Sequence, residues 1–569
     1  MSNQEIAEIF YDIADMLEIK GVQWEPRAYR NAAMVISTLP VDLKKVYEEG
    51  KLMEMEGIGQ SMSKSISEYF QTGKIKKYED LRKQFPIDFR VFRKIRGLGP
   101  KRIFTLYKKL GIKDLNGLKD AISSNKIRKL EGFGEKSEED LRKNIEAFLK
   151  LKEERKLLGL VIDHFEDFVK KLEKSGLFKD VRIAGSARRM RETVGDLDVL
   201  AVSDMPEKCM DFFVKLPEVK EVLVKGSTKT SVRLNLGLNC DIRIVPAESF
   251  GSAMQYFTGN KEHNVKLRKI AISMGMKLNE YGLFKGTKKL AGPTEEGVYK
   301  ALGLDEMEPE LRENMGEIEA SKAGTLPKIV GYEEIIADLH VHTKDSDGSN
   351  SLEEMAEAAE KIGLKYIALT NHSKSLRVAN GLDEDRFQKL AAKIAKFNEK
   401  SRIKVLNGVE LEILKDGSLD LPSKFLKDFD FVLGALHQNT KMSRQDLTER
   451  LVKAIDSGLI DSVAHPTDRM IGEREPLDID MEKVFSACKR SDVWLEIDGY
   501  PNRSDLPFDL VKNAKDYGIK FTLGSDAHSV NHLRFIRMAT AIARRGWLEK
   551  KDIVNAMGLN DFFKFRRRK

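Results

Sequence analysis

Beyond residue 330 the chain alternates short apolar runs with amphipathic stretches. The runs fall at 335–340, 366–370, 403–406, 431–434, 462–465, 493–496 and 521–524. Short apolar runs read as buried strands, and the stretches between them as helices covering a sheet. Seven βα units in succession predict a distorted parallel (β/α)7 barrel, in which functional side chains gather where the strands end. Residues 160–250 carry a different pattern. An amphipathic helix through Phe165 and Val169 precedes strand-like runs at 181–184, 197–202 and 238–245, predicting a mixed α/β layer. Residues 250–320 return to helices and short strands, ending in a polar stretch at 312–325 that contains Gly316 and Gly324. Residues 1–150 show only the helical period, broken by three similar turns: Glu56-Gly57-Ile58-Gly59, Arg96-Gly97-Leu98-Gly99 and Glu131-Gly132-Phe133-Gly134.

With 569 residues, 41% of them apolar, the chain is long enough for several cores. It has no apolar run of about 18 residues and no signal-like N-terminus, so a soluble, cytoplasmic protein without a membrane partner is expected. Cys209, Cys240 and Cys488 are far apart and form no C-x-x-C pair, which excludes a disulfide framework and a cysteine zinc site. The net charge of +8 is modest, but residues 91–130 alone carry 12 Lys/Arg against 2 Asp/Glu. Such a cluster favours phosphate binding through counterion release, with a solvated helical face as the alternative.

A G-x-G turn between helices lets main-chain N–H groups and a helix N-terminus approach a phosphate, because glycine removes the Cβ obstruction. One such turn is an ordinary connector. Three of them, with Arg93, Lys94, Arg96, Lys101 and Arg102 beside the second, resemble helix-hairpin-helix elements. The resemblance implies sequence-independent DNA contact through Gly57, Gly59, Gly97, Gly99, Lys101, Arg102, Gly132 and Gly134.

Gly185-Ser186-Ala187-Arg188-Arg189 is followed by Gly195-Asp196-Leu197-Asp198. Two residues apart on a strand, Asp196 and Asp198 share a face and can bind hard divalent cations. Asp241 supplies a further carboxylate from a second strand, where Cys240, Ile242 and Ile244 face the core. Three aspartates so placed suit two-metal in-line phosphoryl transfer. The segment resembles the palm of family X DNA polymerases, within the nucleotidyltransferase superfamily, and so implies catalysis by Asp196, Asp198 and Asp241 with Mg2+ or Mn2+. Tyr256-Phe257-Thr258-Gly259, with Asn264 and Arg268, matches the family's nucleotide-binding helix. By that resemblance Tyr256, Phe257 and Gly259 fit the sugar, Asn264 touches the base edge and Arg268 lies near the template, while Gly185, Ser186, Arg189 and Gly195 hold the triphosphate. Asn260 and Lys261 depart from the family pattern, whereas Asn279-Glu280-Tyr281-Gly282-Leu283 agrees with its thumb. Arg27-Ala28-Tyr29-Arg30 resembles the family's small DNA-binding domain. Where several relatives carry an imine-forming lysine, this chain has Ser65, with Lys64 adjacent; serine cannot form the imine.

Seven of the nine histidines follow residue 330. His340 and His342 alternate onto one face of the first predicted barrel strand; His372, His437, His465 and His528 end later ones, with Asp347, Glu410 and Asp526 as acidic partners. A solitary histidine would read as a satisfied polar residue, but this set suits two or three ions such as Zn2+ or Mn2+. It resembles the polymerase and histidinol phosphatase (PHP) domain, with Asn371 where aspartate is usual. The resemblance implies 3′–5′ exonuclease or related end cleaning, with Arg469 a candidate phosphate contact.

The expected organisation is therefore a small helical DNA-binding domain (1–85), a fingers-like helix-hairpin-helix region (86–150), a nucleotidyltransferase palm (151–247), a thumb-like nucleotide-selection subdomain (248–318), a linker (319–334) and a PHP phosphoesterase barrel (335–569). The terminal Leu559-Asn-Asp-Phe-Phe563 run reads as a packed helix, with a sliding-clamp peptide as the alternative. The leading expectation is a monomeric DNA repair polymerase, of the base excision repair kind, using dNTPs on gapped or nicked duplexes and processing primer 3′ ends. Two other readings stay open: a polymerase whose barrel is only structural or DNA-binding, and a PHP phosphatase with a nucleic-acid-binding N-terminal half.

Overall fold

A computed structural model of the chain describes residues 3–37, 43–55, 58–93, 95, 98–153 and 155–566. It contains two compact units: residues 1–155 with 261–266 and 314–319, and residues 156–260, 267–313 and 320–569.

The first unit is built on short helices. On Asn3–Ile19 the residues Ile6, Phe10, Ile13 and Leu17 form one apolar stripe, which shares a core with Tyr29, Ala33 and Ile36 of Glu25–Ser37. Two of the expected glycine turns start helices: Gly59 caps Gln60–Thr72, and Gly99 caps Pro100–Leu110, where proline at the first helical position needs no N–H partner. Gly134 precedes the helix Glu135–Glu153. Gly57, Lys94, Arg96 and Gly97 lie outside the described residues.

The second unit holds a five-stranded sheet and a barrel. In the sheet the strands run Asp180–Ile183, Asp196–Val202, Asn239–Ile244, Lys229–Leu234 and Val219–Lys225, with only the second and third parallel. The last two form a hairpin absent from the sequence expectation. Val219–Lys225 is exposed along nearly its whole length, Val222, Leu223 and Val224 included, so its apolar residues do not alternate onto a buried face.

All seven barrel strands form, parallel and in chain order: Ala337–Val341, Tyr366–Leu369, Lys404–Glu412, Phe431–Ala435, Ser462–Val463, Trp494–Asp498 and Phe521–Gly524. The third is longer than expected, which brings Glu410 and Glu412 onto it. Closure between first and last strands is irregular. His342 N–H donates to Ala527 O (2.9 Å), and the Asn555 amide bridges the Ala337 and Leu523 carbonyls (2.9 and 2.8 Å) while accepting from Leu523 N–H (2.7 Å). One buried amide thus stands in for an eighth strand's hydrogen bonds.

The terminal helix Leu559–Phe565 packs as an ordinary end helix. Phe562 is fully buried against Tyr366, Phe431 and Trp494, with ring centroids 6.0–6.3 Å apart. Helix Ile536–Arg545 joins barrel to sheet, because Met538 and Ala541 share an apolar cluster with Leu158, Phe165 and Phe168. Ion pairs flank this seam: Arg534–Asp163 (2.6 Å), Arg537–Glu166 (2.5 Å) and Arg545–Glu192 (2.8 Å). The segment expected as a linker is packed here. Val330 is fully buried, and Tyr332 donates to Glu310 (2.9 Å) beneath Arg544. Among the described residues, no helix is long and apolar enough to cross a membrane.

Candidate functional site

The sheet brings its three aspartates together. Asp196 and Asp198 open one strand, Asp241 lies on its parallel neighbour, and Asp198 is in direct register with Asp241. Gly185 makes this possible. Its φ is +63°, and a Cβ there would fall 2.4 Å from Asp198 Oδ2, so only glycine lets the Gly185–Arg188 turn approach the carboxylates. Burial and the charges of Asp196 and Asp241 push the Asp198 carboxyl up to about 6. Lys229 Nζ offsets part of this charge at 3.0 Å from Asp241.

The turn is tied to the Tyr256-Phe257-Thr258-Gly259 segment by two arginines. Arg188 donates to Thr258 Oγ1 (2.6 Å), and Arg189 donates to Thr258 O (2.5 Å) and Glu313 (3.0 Å). Asn260, one of the departures from the family pattern, donates to the same Glu313 (3.2 Å). Arg243 lies 4.7 Å from the Phe257 ring centre. Asn264 and Arg268 stand four residues apart on Lys261–Ser273, hence on one helical face.

At the barrel's strand ends the histidines and carboxylates converge. Glu410 is the hub: its oxygens lie 2.9–3.5 Å from nitrogens of His340, His342, His372, His437 and His465. Three groups have donor atoms within 4.8 Å of one another: His342, Asp347, His372 and His528; His340, His342 and Asp526; and His372, Glu410 and His437. Nδ1 of His342 and of His465 is buried with no hydrogen-bond partner. His342 belongs to two of these groups, whose imidazole and carboxylate donors fit divalent cations, whereas His465 faces the cluster through Nε2, 2.9 Å from Glu410, and is in none of the three. The charge balance agrees. Burial and the neighbouring His528 and His372 push His342 down to about 3. Burial also opposes charging of His372 and His437, yet Glu410 overcomes it and raises them to about 10 and about 9.

Comparison with known proteins is then informative. Residues 253–313 match the DNA polymerase beta thumb, 338–498 the PHP domain, 1–75 a helix-hairpin-helix domain and 89–146 a SAM-like helix-hairpin-helix tandem. The DNA polymerase/3′-5′ exonuclease PolX of Bacillus subtilis (strain 168) is 34% identical over 574 residues, covering 100% of both chains. The chain belongs to the family X DNA polymerases that carry a PHP domain. DNA polymerase lambda of Arabidopsis thaliana is 27% identical over 349 residues, 54% of this chain and 62% of that protein. A probable phosphatase of Thermoanaerobacter sp. (strain X514) is 30% identical over 249 residues, 41% of this chain and 97% of its own.

Several residues of this family X chain do work that sequence reading did not anticipate. Glu496 accepts from His340 Nδ1 (2.7 Å) and from His465 N–H (2.8 Å); Glu412 accepts from His437 Nδ1 (2.8 Å) and from Gln438 N–H (3.0 Å). These carboxylates orient the imidazoles of His340 and His437. Arg503 lies 3.5 Å from Asp526, 3.6 Å from Asp498 and 2.8 Å from Asp468. A strand-end position two residues from a ligand was the only signal available for Glu412. Asn371, in the place of the usual aspartate, accepts from Thr343 N–H (2.9 Å) and Ser346 Oγ (2.8 Å), so it fixes the loop bearing Asp347. Arg469 differs from the phosphate contact expected of it: it donates to the Arg503 and Ser504 carbonyls and lies 3.7 Å from Glu192 of the sheet region. In the helical unit, Arg93 is bound by Glu8, Asp12 and Asp15 at 2.7–2.9 Å, which removes it from the basic surface, while Lys101 and Arg102 remain exposed. Ser65 is buried and donates to Ser61 O (3.1 Å); Lys64 on the same helix is exposed.

Proposed function

We propose that this chain fills short gaps in DNA by template-directed nucleotidyl transfer and trims 3′ ends at its PHP domain. The observation that carries the first half is the direct register of Asp198 with Asp241 beside Asp196 and the Gly185 turn. Mg2+ or Mn2+ held there would supply the charge that activates a primer 3′-hydroxyl and neutralises departing pyrophosphate. Asp196, Asp198 and Asp241 fix where that charge sits. Gly185, Ser186 and Gly195 present main-chain N–H groups to the triphosphate, and Arg189 adds its guanidinium. Tyr256, Phe257 and Gly259 fit the incoming sugar, Asn264 meets the base edge and Arg268 faces the template. Gly59, Gly99, Gly132 and Gly134, with Lys101 and Arg102, grip the DNA backbone; Gly57 and Gly97 complete the turns on sequence grounds.

In the barrel His340, His342, Asp347, His372, Glu410, His437, His465, Asp526 and His528 would hold two or three ions, Zn2+ or Mn2+, whose Lewis acidity serves water attack on a terminal phosphodiester. Glu496 and Glu412 keep the ligand rings in register, and Arg503 neutralises carboxylate charge at the cluster's edge.

A 5′-labelled gapped duplex with dNTPs and Mn2+ tests both halves. Asp196→Ala/Asp198→Ala should abolish extension and spare 3′ shortening; His340→Ala/His342→Ala should do the reverse. Extension that survives the first pair, or shortening that survives the second, overturns the corresponding assignment.

A further inference from the structure

The segment between His372 and Leu382 forms a loop that contributes none of the candidate ligands of the cluster. Its neck is pinned: Leu382 N–H donates to His372 O (2.7 Å), and a Cβ on Gly381 would fall 2.0 Å from the Ser373 carbonyl oxygen. Its two flanks are tied to the neighbouring ligand-bearing loops. On one side the Asn380 amide donates to the carbonyls of Asp345 (3.2 Å) and Ser346 (3.1 Å), just before Asp347. On the other, Gln438, which follows His437, donates to Ser375 O (2.8 Å), and Ser375 N–H donates to Asp420 (2.7 Å). The loop is therefore a rigid arch set on the rim between the His372, Asp347 and His437 positions.

Its crown is chemically unusual. Val378 is 93% exposed, the most exposed large apolar side chain among the described residues. Arg377, beside it on the 3-10 turn Arg377–Ala379, is exposed and makes no ion pair within the described residues. Lys344, on the loop that leads to Asp347, is exposed as well. An aliphatic side chain held out from a rigid arch, flanked by cations at the edge of a phosphoesterase cluster, complements one kind of ligand. Its faces match a base, and its charges match the adjoining phosphates.

We propose that residues 374–380 form a guide for single-stranded 3′ ends, with Val378 packing against the base next to the terminal nucleotide and Arg377 pairing with its phosphate. This rests on the exonuclease reading of the cluster.

The test uses the full chain with Mn2+ and two substrates: a 5′-labelled single-stranded oligonucleotide and the small diester bis(p-nitrophenyl) phosphate. For Arg377→Ser/Val378→Ser, KM on the oligonucleotide should rise about tenfold with little change in kcat, since one apolar base contact and one phosphate contact are lost. Hydrolysis of the small diester should be unchanged, and Val378→Leu should behave as wild type. Arg377→Ser alone should flatten the slope of log KM against log salt by about 0.7, one single-strand phosphate contact. An unchanged oligonucleotide KM, or a parallel fall in diester hydrolysis, overturns the guide while leaving exonuclease action standing. Failure of wild type to shorten the oligonucleotide, with diester hydrolysis intact, overturns the exonuclease reading and the guide with it.

Discussion

In the sheet, Asp196, Asp198 and Asp241 stand on two adjacent strands, and strand register alone sets their spacing. In the barrel, nine candidate ligands come from six different strand ends and the loops after them, most of them are buried, and His340 and His437 are each held by a further carboxylate. In the triad three carboxylates face one another, and Lys229 Nζ, 3.0 Å from Asp241, offsets part of their charge. The barrel cluster instead sets its carboxylates among imidazoles, with Glu410 within 3.5 Å of five of them. Under the proposed function, the sheet is read as a site whose ions exchange with substrate and the barrel as one whose ions reside.

Four changes can break or sharpen this contrast. The largest effect belongs to Asp198→Asn, which should lower primer extension by about 10^3-fold or more, while 3′ shortening stays within about twofold of wild type. Glu192→Gln strikes the seam between the two regions. Burial works against the Glu192 charge, but Arg545, Arg191 and Arg469 hold its carboxyl down to about 2, below the ordinary glutamate value of 4.5. Its contribution is thus complete above pH 4.5 and is lost as pH falls toward 2. The glutamine variant should lose about 3 kcal/mol at pH 7, read from denaturant unfolding, and show a flatter loss of stability in acid. Next, Glu496→Gln or Glu412→Gln should weaken metal retention and 3′ shortening by about 10- to 100-fold without altering extension. Smallest is a pH effect in the sheet. Because the Asp198 pKa is raised to about 6, protons compete with cations below that value. Mn2+ affinity of the triad, titrated in the His340→Ala/His342→Ala background, should level off above pH 6 and fall by up to about tenfold per unit below it.

Much of this was legible in the sequence, for physical reasons. Period-2 alternation displayed His340 with His342 and Asp196 with Asp198, and βα succession placed the later histidines at strand ends. The barrel strands were legible because they are buried on both faces. The hairpin strand Val219–Lys225 was not, since it is exposed on both faces and its apolar residues Val222, Leu223 and Val224 follow no period-2 alternation. Glu496 and Glu412 were hidden among ordinary acidic residues, because an orienting role depends on which ring the chain brings near. The partners of Arg469 and Arg93 were beyond reach for the same reason: Glu192 and the Glu8–Asp15 helix face are distant in sequence, and charge counting assigns every arginine to the surface.

Metal content tests the contrast most directly. After exhaustive dialysis against metal-free buffer, the wild-type chain should retain two or three ions, as should Asp196→Ala/Asp198→Ala, while His340→Ala/His342→Ala should lose most of them. Retention that is unaffected by the histidine changes, or is lost with the aspartates instead, would contradict the account of a resident cluster in the barrel and an exchanging pair in the sheet.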